Sequence, residues 1–359
     1  MKVAIIGAGV SGLSCAHELE RHGIYPTIYE KKSFIGDIES HVGAVLEIHN
    51  RPIKDAVNYL KGKFDMALTP LNTINTITHH SPNKTTVIKG NLGYFLKRNS
   101  DNDSAIGQLY SLLKRTEVVF NENADYEELV KKYDYVVIAN GNPDFTKELG
   151  CWQKWVQGTV RGAVVLGNFN PTNLVVWLNK KYTNKGYVYL TPFSEKKASI
   201  VLFVPYIKKQ EIQYYWESFL YTENIKYTIV EEFEREHFSG FVYPHKVDNI
   251  YFTGVAGGAL EPFLGFGFVN SARHGIYAAQ SIVEGKDYEK LLKDLVKQNL
   301  ALKELRNTFD IASNKDYDKI FTALGLPGIR YIIYKTSLNV INAGDAILRL
   351  KRKPKNDKI

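Results

Sequence analysis

The chain opens on Val3-Ala4-Ile5-Ile6, where every position is apolar, the mark of a parallel strand buried on both faces. From Val10 the apolar positions recur at helical spacing, with Ala16 and Leu19 on the sheet-facing side, until Gly23 ends the helix. Ile24 to Tyr29 then predicts a second strand, closed by Glu30, and Asp134 to Gly141 predicts a further buried strand ending in a small-residue turn. The pattern changes between about 155 and 235. Arg161 to Gly167, Asn173 to Asn179, Gly186 to Thr191 and Ala198 to Pro205 are short runs rich in Val, Tyr, Phe and Leu, separated by turn-forming residues, which predicts an antiparallel sheet. Asn249 to Gly254 reads as a strand again, and a helix after it carries Ser271, Ala272, Gly275, Ala278 and Ala279. Tyr288, Leu291, Leu292, Leu295, Asn299, Leu302 and Leu305 form one apolar stripe at helical spacing. Gly325-Leu326-Pro327-Gly328 is a turn, and Ile329 to Leu350 predicts a last helix.

Composition narrows the field only at its edges. Hydrophobic residues make up 44% and charged residues 23% of 359, which is globular and long enough for a sizeable core divided among subdomains. The net charge of +8 is concentrated at the end of the chain, in Arg349, Lys351, Arg352, Lys353, Lys355 and Lys358. That tail is either a solvated end or a contact for anionic lipid, so peripheral membrane contact stays open. Nucleic acid is not an expected partner, because no basic stripe interleaved with aromatics runs through the body of the chain. Cys15 and Cys151 alone make neither a disulfide framework nor a metal site, and His79-His80 is read as loop, so no metal is expected. The start runs straight into a strand without a signal peptide, and no apolar run is long enough to span a bilayer; a cytoplasmic location is expected.

The candidate chemistry begins between the first strand and the first helix, in Gly7-Ala8-Gly9-Val10-Ser11-Gly12. Gly7 permits a tight turn, Gly9 lets a pyrophosphate approach the backbone, and Gly12 lets the helix pack closely on the strand. The helix N-terminus at Val10 and Ser11 offers free N–H groups to phosphate. Glu30, with Lys31 beside it, is placed to meet the ribose of an adenosine. This set fits NAD and FAD alike. Ala139-Asn140-Gly141 reads as the turn that rejoins the same sheet.

A second glycine-rich stretch decides between the two. Glycines 254, 257, 258, 265 and 267 flank Glu261-Pro262 and lead into a helix of small residues. This places a helix N-terminus and pliant backbone beside the ribityl chain and pyrimidine end of an isoalloxazine, where Gly254, Val255, Gly265, Phe266 and Gly267 would line the cofactor. An NAD enzyme has no need of such a contact so far along the chain. FAD is therefore the expected cofactor.

These fragments resemble the geranylgeranyl reductase family, within the flavoproteins of two dinucleotide folds that include the aromatic-ring hydroxylases. Gly254-Val255-Ala256-Gly257-Gly258 stands where that family has Gly-Asp-Ala-Ala-Gly, with Val255 in place of an Asp that hydrogen-bonds the ribityl chain. Pro262, Gly265, Gly267, Arg273, Gly275 and Ala278-Ala279 continue the match, and Arg98 falls where related flavoproteins carry an Arg near FAD. Tyr187-Val188-Tyr189-Leu190-Thr191-Pro192 resembles the family's Tyr-x-Trp-x-aromatic-Pro, while the glycine pair that should follow is replaced by Lys197-Ala198-Ser199.

The fold expected is α/β: a doubly wound Rossmann-like FAD-binding domain from 1–150 and 236–285, an inserted antiparallel β-sheet substrate domain over 151–235, and a helical C-terminal region over 286–359. The resemblance implies hydride transfer from reduced flavin to a carbon–carbon double bond of an isoprenoid or similar apolar substrate. NAD(P)H or ferredoxin would donate electrons. Tyr187, Tyr189 or a histidine such as His41 would supply the proton; His49 lies in the same stretch as His41. Two alternatives share these fragments: an FAD-dependent monooxygenase acting on an aromatic substrate, and a non-catalytic lipid-binding protein on the same fold.

Overall fold

The computed structural model describes residues 1–36 and 40–335. The basic tail and most of the last expected helix lie outside the described residues.

The elements follow in chain order. β1 (Val3–Ile6) and α1 (Val10–Arg21) lead to β2 (Thr27–Glu30), β3 (His41–Leu46), β4 (Asn72–Ser81), β5 (Lys84–Arg98), β6 (Glu117–Phe120) and β7 (Tyr135–Ile138). The long β8 (Trp152–Leu166) precedes β9 (Asn173–Trp177), β10 (Tyr187–Pro192), β11 (Lys197–Pro205) and helix α2 (Ile212–Thr222). β12 (Thr228–Val242), β13 (Lys246–Val247) and β14 (Ile250–Phe252) close the strands. Helices α3 (Phe268–Glu284), α4 (Tyr288–Ile311), α5 (Asn314–Gly325) and α6 (Pro327–Lys335) end the described chain.

Among the described residues two sheets form. The first has the order β13-β14-β7-β1-β2-β6 and is parallel except at its β13–β14 edge. Its central strands carry Val3, Ala4, Ile5, Val136, Val137 and Ile138, all essentially without solvent exposure, as their unbroken apolar runs require. α1 and α3 cover one face and pack on each other. Their contact depends on Gly275, where any side chain would strike the Ser11 carbonyl oxygen.

The second sheet has the order β12-β8-β11-β10-β9-β4-β5-β3, antiparallel except for the β4–β9 pair. It draws on 41–98 as well as on 152–242, so three of its strands come from the N-terminal part of the chain and β12 runs past 235. His79 and His80 are strand residues of β4 and not loop; their rings lie against Phe321 and Trp177. The sheet curls until β3 faces β10 and β11: Thr191 Oγ1 donates to Val42 O at 2.8 Å, and Val42 N donates to Ser199 Oγ at 3.1 Å.

The period-two alternation of these strands gives the sheet two faces. Val188, Leu190, Ile200 and Leu202 pack on Trp216 and Phe219 of α2. Tyr187, Val201, Phe203 and Phe233 point the other way, towards Phe309 of α4 and Tyr317 and Phe321 of α5. α5 is tied down at its start and one turn further on. Asp318 accepts from Ser81 Oγ at 2.6 Å and Asn83 Nδ2 at 2.9 Å, and Asn314 Oδ1 accepts from Lys180 N at 2.9 Å.

Candidate functional site

The parallel strands β1, β2 and β7 end together, and the crevice beyond their carboxyl ends is where open α/β sheets take ligands. Gly7 sits there with φ +103°, and a Cβ on it would come within 2.5 Å of Ala139 O. Gly12 touches the Gly7 carbonyl closely enough to exclude any side chain, which seats α1 against the β1 turn. Gly9 differs: a Cβ there would meet only Ala139 O, at 4.0 Å, so the backbone is open to an approaching group. α1 begins at Val10 with no side-chain cap, leaving the N–H groups of its first turn, including those of Ser11 and Gly12, to a ligand.

Glu30 is buried at the end of β2, where Oε2 accepts from Ala8 N at 2.9 Å and Oε1 from Lys32 N at 3.0 Å. These bonds aim the carboxylate into the crevice and leave it lone pairs for a ribose hydroxyl. Lys31 is exposed beside it. Across the crevice Ala139 N donates to Ile6 O at 2.8 Å, Gly141 takes φ +78°, and Asn140 Oδ1 is buried without a hydrogen-bond partner. An orphaned acceptor beside an open glycine and an uncapped helix fits the diphosphate and nucleoside of a dinucleotide.

The second glycine stretch joins this crevice. Gly254, at φ +60°, lies against Ser11, and the turn closes with Ala259 N donating to Gly254 O at 2.8 Å. Val255 offers no polar side chain, and its carbonyl accepts from Gly258 N at 3.0 Å. Further on, Gly265 takes φ +74° with His237 and the Tyr187 hydroxyl close by, and Gly267 begins α3 without a side-chain cap. Phe266 lies against the His49 ring, centroids 4.6 Å apart. His49 Nδ1 is buried and unpartnered, and burial pushes its pKa down to about 4, so the ring is neutral at pH 7. Ala44, His49, Glu261, Phe266, Gly267 and Gln298 are among the residues around a narrow cleft at the start of α3. A neutral imidazole and an uncapped helix N-terminus fit the polar, electron-accepting edge of a flavin ring. FAD is the cofactor this arrangement implies.

Of the expected proton donors, the two tyrosines share the sheet face and their ring centroids are 6.2 Å apart. The Tyr187 hydroxyl donates to Leu264 O, and burial raises its pKa well above 10. Burial also raises the pKa of Tyr189, opposed by the charges of Arg235 and Arg98. His41 stands further along the curled sheet, paired with Arg98 in register, and Arg235 Nη2 donates to its Nε2 at 3.0 Å. A guanidinium only donates, so this ring nitrogen is an acceptor. Arg98, the register partner of His41, and Arg235 are the two charges that act on Tyr189.

Four residues of this region carry no expectation from sequence. Glu261 is 2% exposed within the glycine stretch, its pKa raised to about 7 by burial against the pull of three backbone N–H groups and Arg306. His237, held down to about 4 by burial and by Arg235 and Arg306, faces Gly265. Arg235 comes from β12 and Arg306 from α4. An acid beside a proline in an otherwise apolar glycine loop was the one local signal; the others reach the site only through tertiary contacts.

The comparisons with known proteins agree with this geometry. Residues 5–62 match the NAD(P)-binding Rossmann-like domain family. A geranylgeranyl bacteriochlorophyll reductase-like protein from Thermoplasma acidophilum superposes with a TM-score of 0.74 at 16% identity, over 99% of this chain and 96% of that one. The likeness is one of fold. The flavin-dependent brominase Bmp2 shares it, with a TM-score of 0.66 at 17% identity over 99% of this chain and all 100% of its own. So does 2-methyl-3-hydroxypyridine-5-carboxylic acid oxygenase, at 0.59 and 18% identity over 93% and 97%. The chain therefore has the α/β fold of flavin-dependent oxidoreductases.

Proposed function

We propose that this chain is an FAD-dependent oxidoreductase that reduces a carbon–carbon double bond of an isoprenoid or similar apolar substrate. The observation that carries the cofactor is the approach of two uncapped helix N-termini, α1 and α3, with Gly254 lying between Ser11 of the one and Ser271 of the other. Gly7, Gly9, Val10, Ser11, Gly12, Glu30, Lys31, Ala139, Asn140 and Gly141 would hold the ADP half. Gly254, Val255, Gly265, Phe266 and Gly267 would hold the ribityl and ring half. When bound and reduced, FAD supplies the hydride.

The chain's own residues must then orient the substrate, keep it dry and deliver a proton. Tyr187, Tyr189, Phe203, Phe263 and Leu264 offer an apolar, aromatic wall beside the ring-facing loop, which supports an apolar substrate. Tyr187 is the proposed proton donor, because its hydroxyl already reaches that loop; Tyr189 and His41 are the proposed supports of the wall. Contact with a membrane surface is supported by Leu326, Ile329, Tyr331 and Ile332, apolar side chains exposed where the described chain ends. No helix of the described residues is long and apolar enough to cross a membrane.

The first experiment is a visible absorbance spectrum of the purified protein, before and after denaturation. Flavin bands released as FAD on unfolding, then bleached anaerobically by an electron donor and restored by an isoprenoid alkene, support the reading. Protein that stays colourless in excess FAD overturns it. A second reading, a monooxygenase, is favoured by the brominase and oxygenase among the fold neighbours. It requires oxygen uptake coupled to NAD(P)H oxidation and a hydroxylated aromatic product.

A further inference from the structure

The loop from Pro262 to Gly267 joins the β14 turn to α3 and faces Tyr187 and His237. It is rich in glycine, carries no regular secondary structure, and cannot hold its shape through backbone pairing alone. Its donors are nevertheless taken. Glu261 Oε2 accepts from Phe263 N at 2.6 Å, and Oε1 accepts from Leu264 N at 2.8 Å and Phe266 N at 3.1 Å. One carboxyl group thus binds three of the four N–H groups that Phe263 to Phe266 carry. Glu261 N donates in turn to Phe266 O at 3.0 Å, which closes the loop on itself.

The loop's acceptor side is held from a different element. Arg306 of α4 is fully buried; its Nη1 donates to Phe263 O at 3.4 Å and its Nη2 to Lys185 O at 2.5 Å. Asp310, one turn on, pairs with the guanidinium at 2.5 Å and keeps it aimed. Arg306 also acts electrostatically on Glu261, so the two grips on the loop are coupled. The Tyr187 hydroxyl takes the next carbonyl, that of Leu264.

We infer that Glu261 and Arg306 form a two-sided clamp that holds the 262–267 loop in shape, and that both are positioning residues for the group the loop faces. The consequence is specific. α4, which the sequence shows only as an apolar stripe, becomes part of the site, and the ring-facing loop depends on a side chain 39 residues downstream of its own end. That the group held is a flavin rests on the FAD reading above; that the loop is clamped does not.

The test is backbone amide hydrogen exchange on the full chain, without and with FAD. In Glu261→Gln the side chain turns an NH2 towards one of the donors it formerly accepted, leaving a buried N–H unpaired. Protection of the Phe263, Leu264 and Phe266 amides is expected to fall by about tenfold or more, while Val136 and Ile138 in β7 keep theirs. Arg306→Lys, which cannot make both guanidinium contacts, should loosen the same three amides. With FAD, both variants should bind about tenfold more weakly and lose the fine structure of the bound flavin's visible band. Unchanged protection of the three amides in Glu261→Gln, within twofold, overturns the clamp. If that variant does not fold, unchanged protection in Arg306→Lys does the same. Wild-type protein that binds no FAD yet shows the exchange pattern would sink the FAD reading and leave the clamp standing.

Discussion

The two ends of the candidate site are built on opposite principles. At the dinucleotide end, Gly7, Gly9 and Gly12 work by having no side chain, and strands buried on both faces supply a rigid edge. Everything needed there lies within one strand–turn–helix–strand unit plus the β7 turn. At the ring-facing end the backbone is irregular and side chains do the holding, Glu261 from the loop, Arg306 from α4 and Tyr187 from β10, while His237 from β12 stands against Gly265. A phosphate needs only N–H groups at an uncovered turn, and close backbone approach encodes that locally. A reacting ring needs walls of particular polarity on several sides, and no single segment can wrap it.

The contrast makes graded predictions. The largest effect should come from filling the space where the first two principles meet. Gly275→Ala would drive a methyl group into the Ser11 carbonyl and part α1 from α3, costing about 3 kcal/mol or more and lowering the thermal midpoint by several degrees. A midpoint unchanged by that substitution would mean that the two glycine stretches are not braced against each other.

Next, Tyr187→Phe removes one hydroxyl at the ring-facing end and nothing at the other. Steady-state turnover should fall by about 10²–10³-fold with FAD affinity nearly unaltered. Full turnover in both Tyr187→Phe and Tyr189→Phe would remove both tyrosines as the acid. The mirror-image substitution is Glu30→Gln, which disturbs the β2 end alone. There the FAD Kd should rise by about tenfold, because a charge-assisted bond is lost, while bound FAD turns over as before.

The smallest effect separates the two ends by pH. The folded pKa of Glu261 is raised to about 7, above its value in the unfolded chain, so its favourable contribution is complete below about pH 4.5 and is lost as pH rises through 7. His49 and His237 have the opposite sign: burial lowers their pKa values to about 4, so their contributions fade only as pH falls below about 6.5. Between pH 6.5 and 8 these histidines are neutral in the folded protein while their unfolded forms shed their remaining charge, which raises stability and offsets the loss at Glu261. The Glu261 part, a fall of about 1 kcal/mol, is therefore read as the difference between wild type and Glu261→Gln in thermal melts at the two pH values: stability of the variant should rise over this window where that of the wild type stays nearly level.

What could be read in advance divides along the same line. The β1–α1–β2 unit, the β7 turn and the glycine-rich approach to α3 were legible, because apolar runs, glycine spacing and a closing acid are local signals. The strands at 41–98 were not assigned to the second sheet. Their sequence is polar and histidine-bearing, and β4 meets β9, about 100 residues away, in a parallel pair that no local pattern announces. Glu261 stood in view beside Pro262, but its role depends on three N–H groups turned inward by the loop's fold. Arg306 follows Leu305 at the end of the apolar stripe, and nothing in that local pattern announces that packing buries it completely.

By itself, then, the sequence determined the elements whose chemistry is local: a parallel α/β core, the crevice for a dinucleotide, and FAD in preference to NAD from the second glycine stretch. Only the tertiary structure decided which side chains wall the ring-facing end and how the loop there is held. The physical reason is distance. Hydrogen bonds and burial act over a few ångströms in space, whatever the separation along the chain, and this end assembles its partners from separate stretches spread between His41 and Arg306.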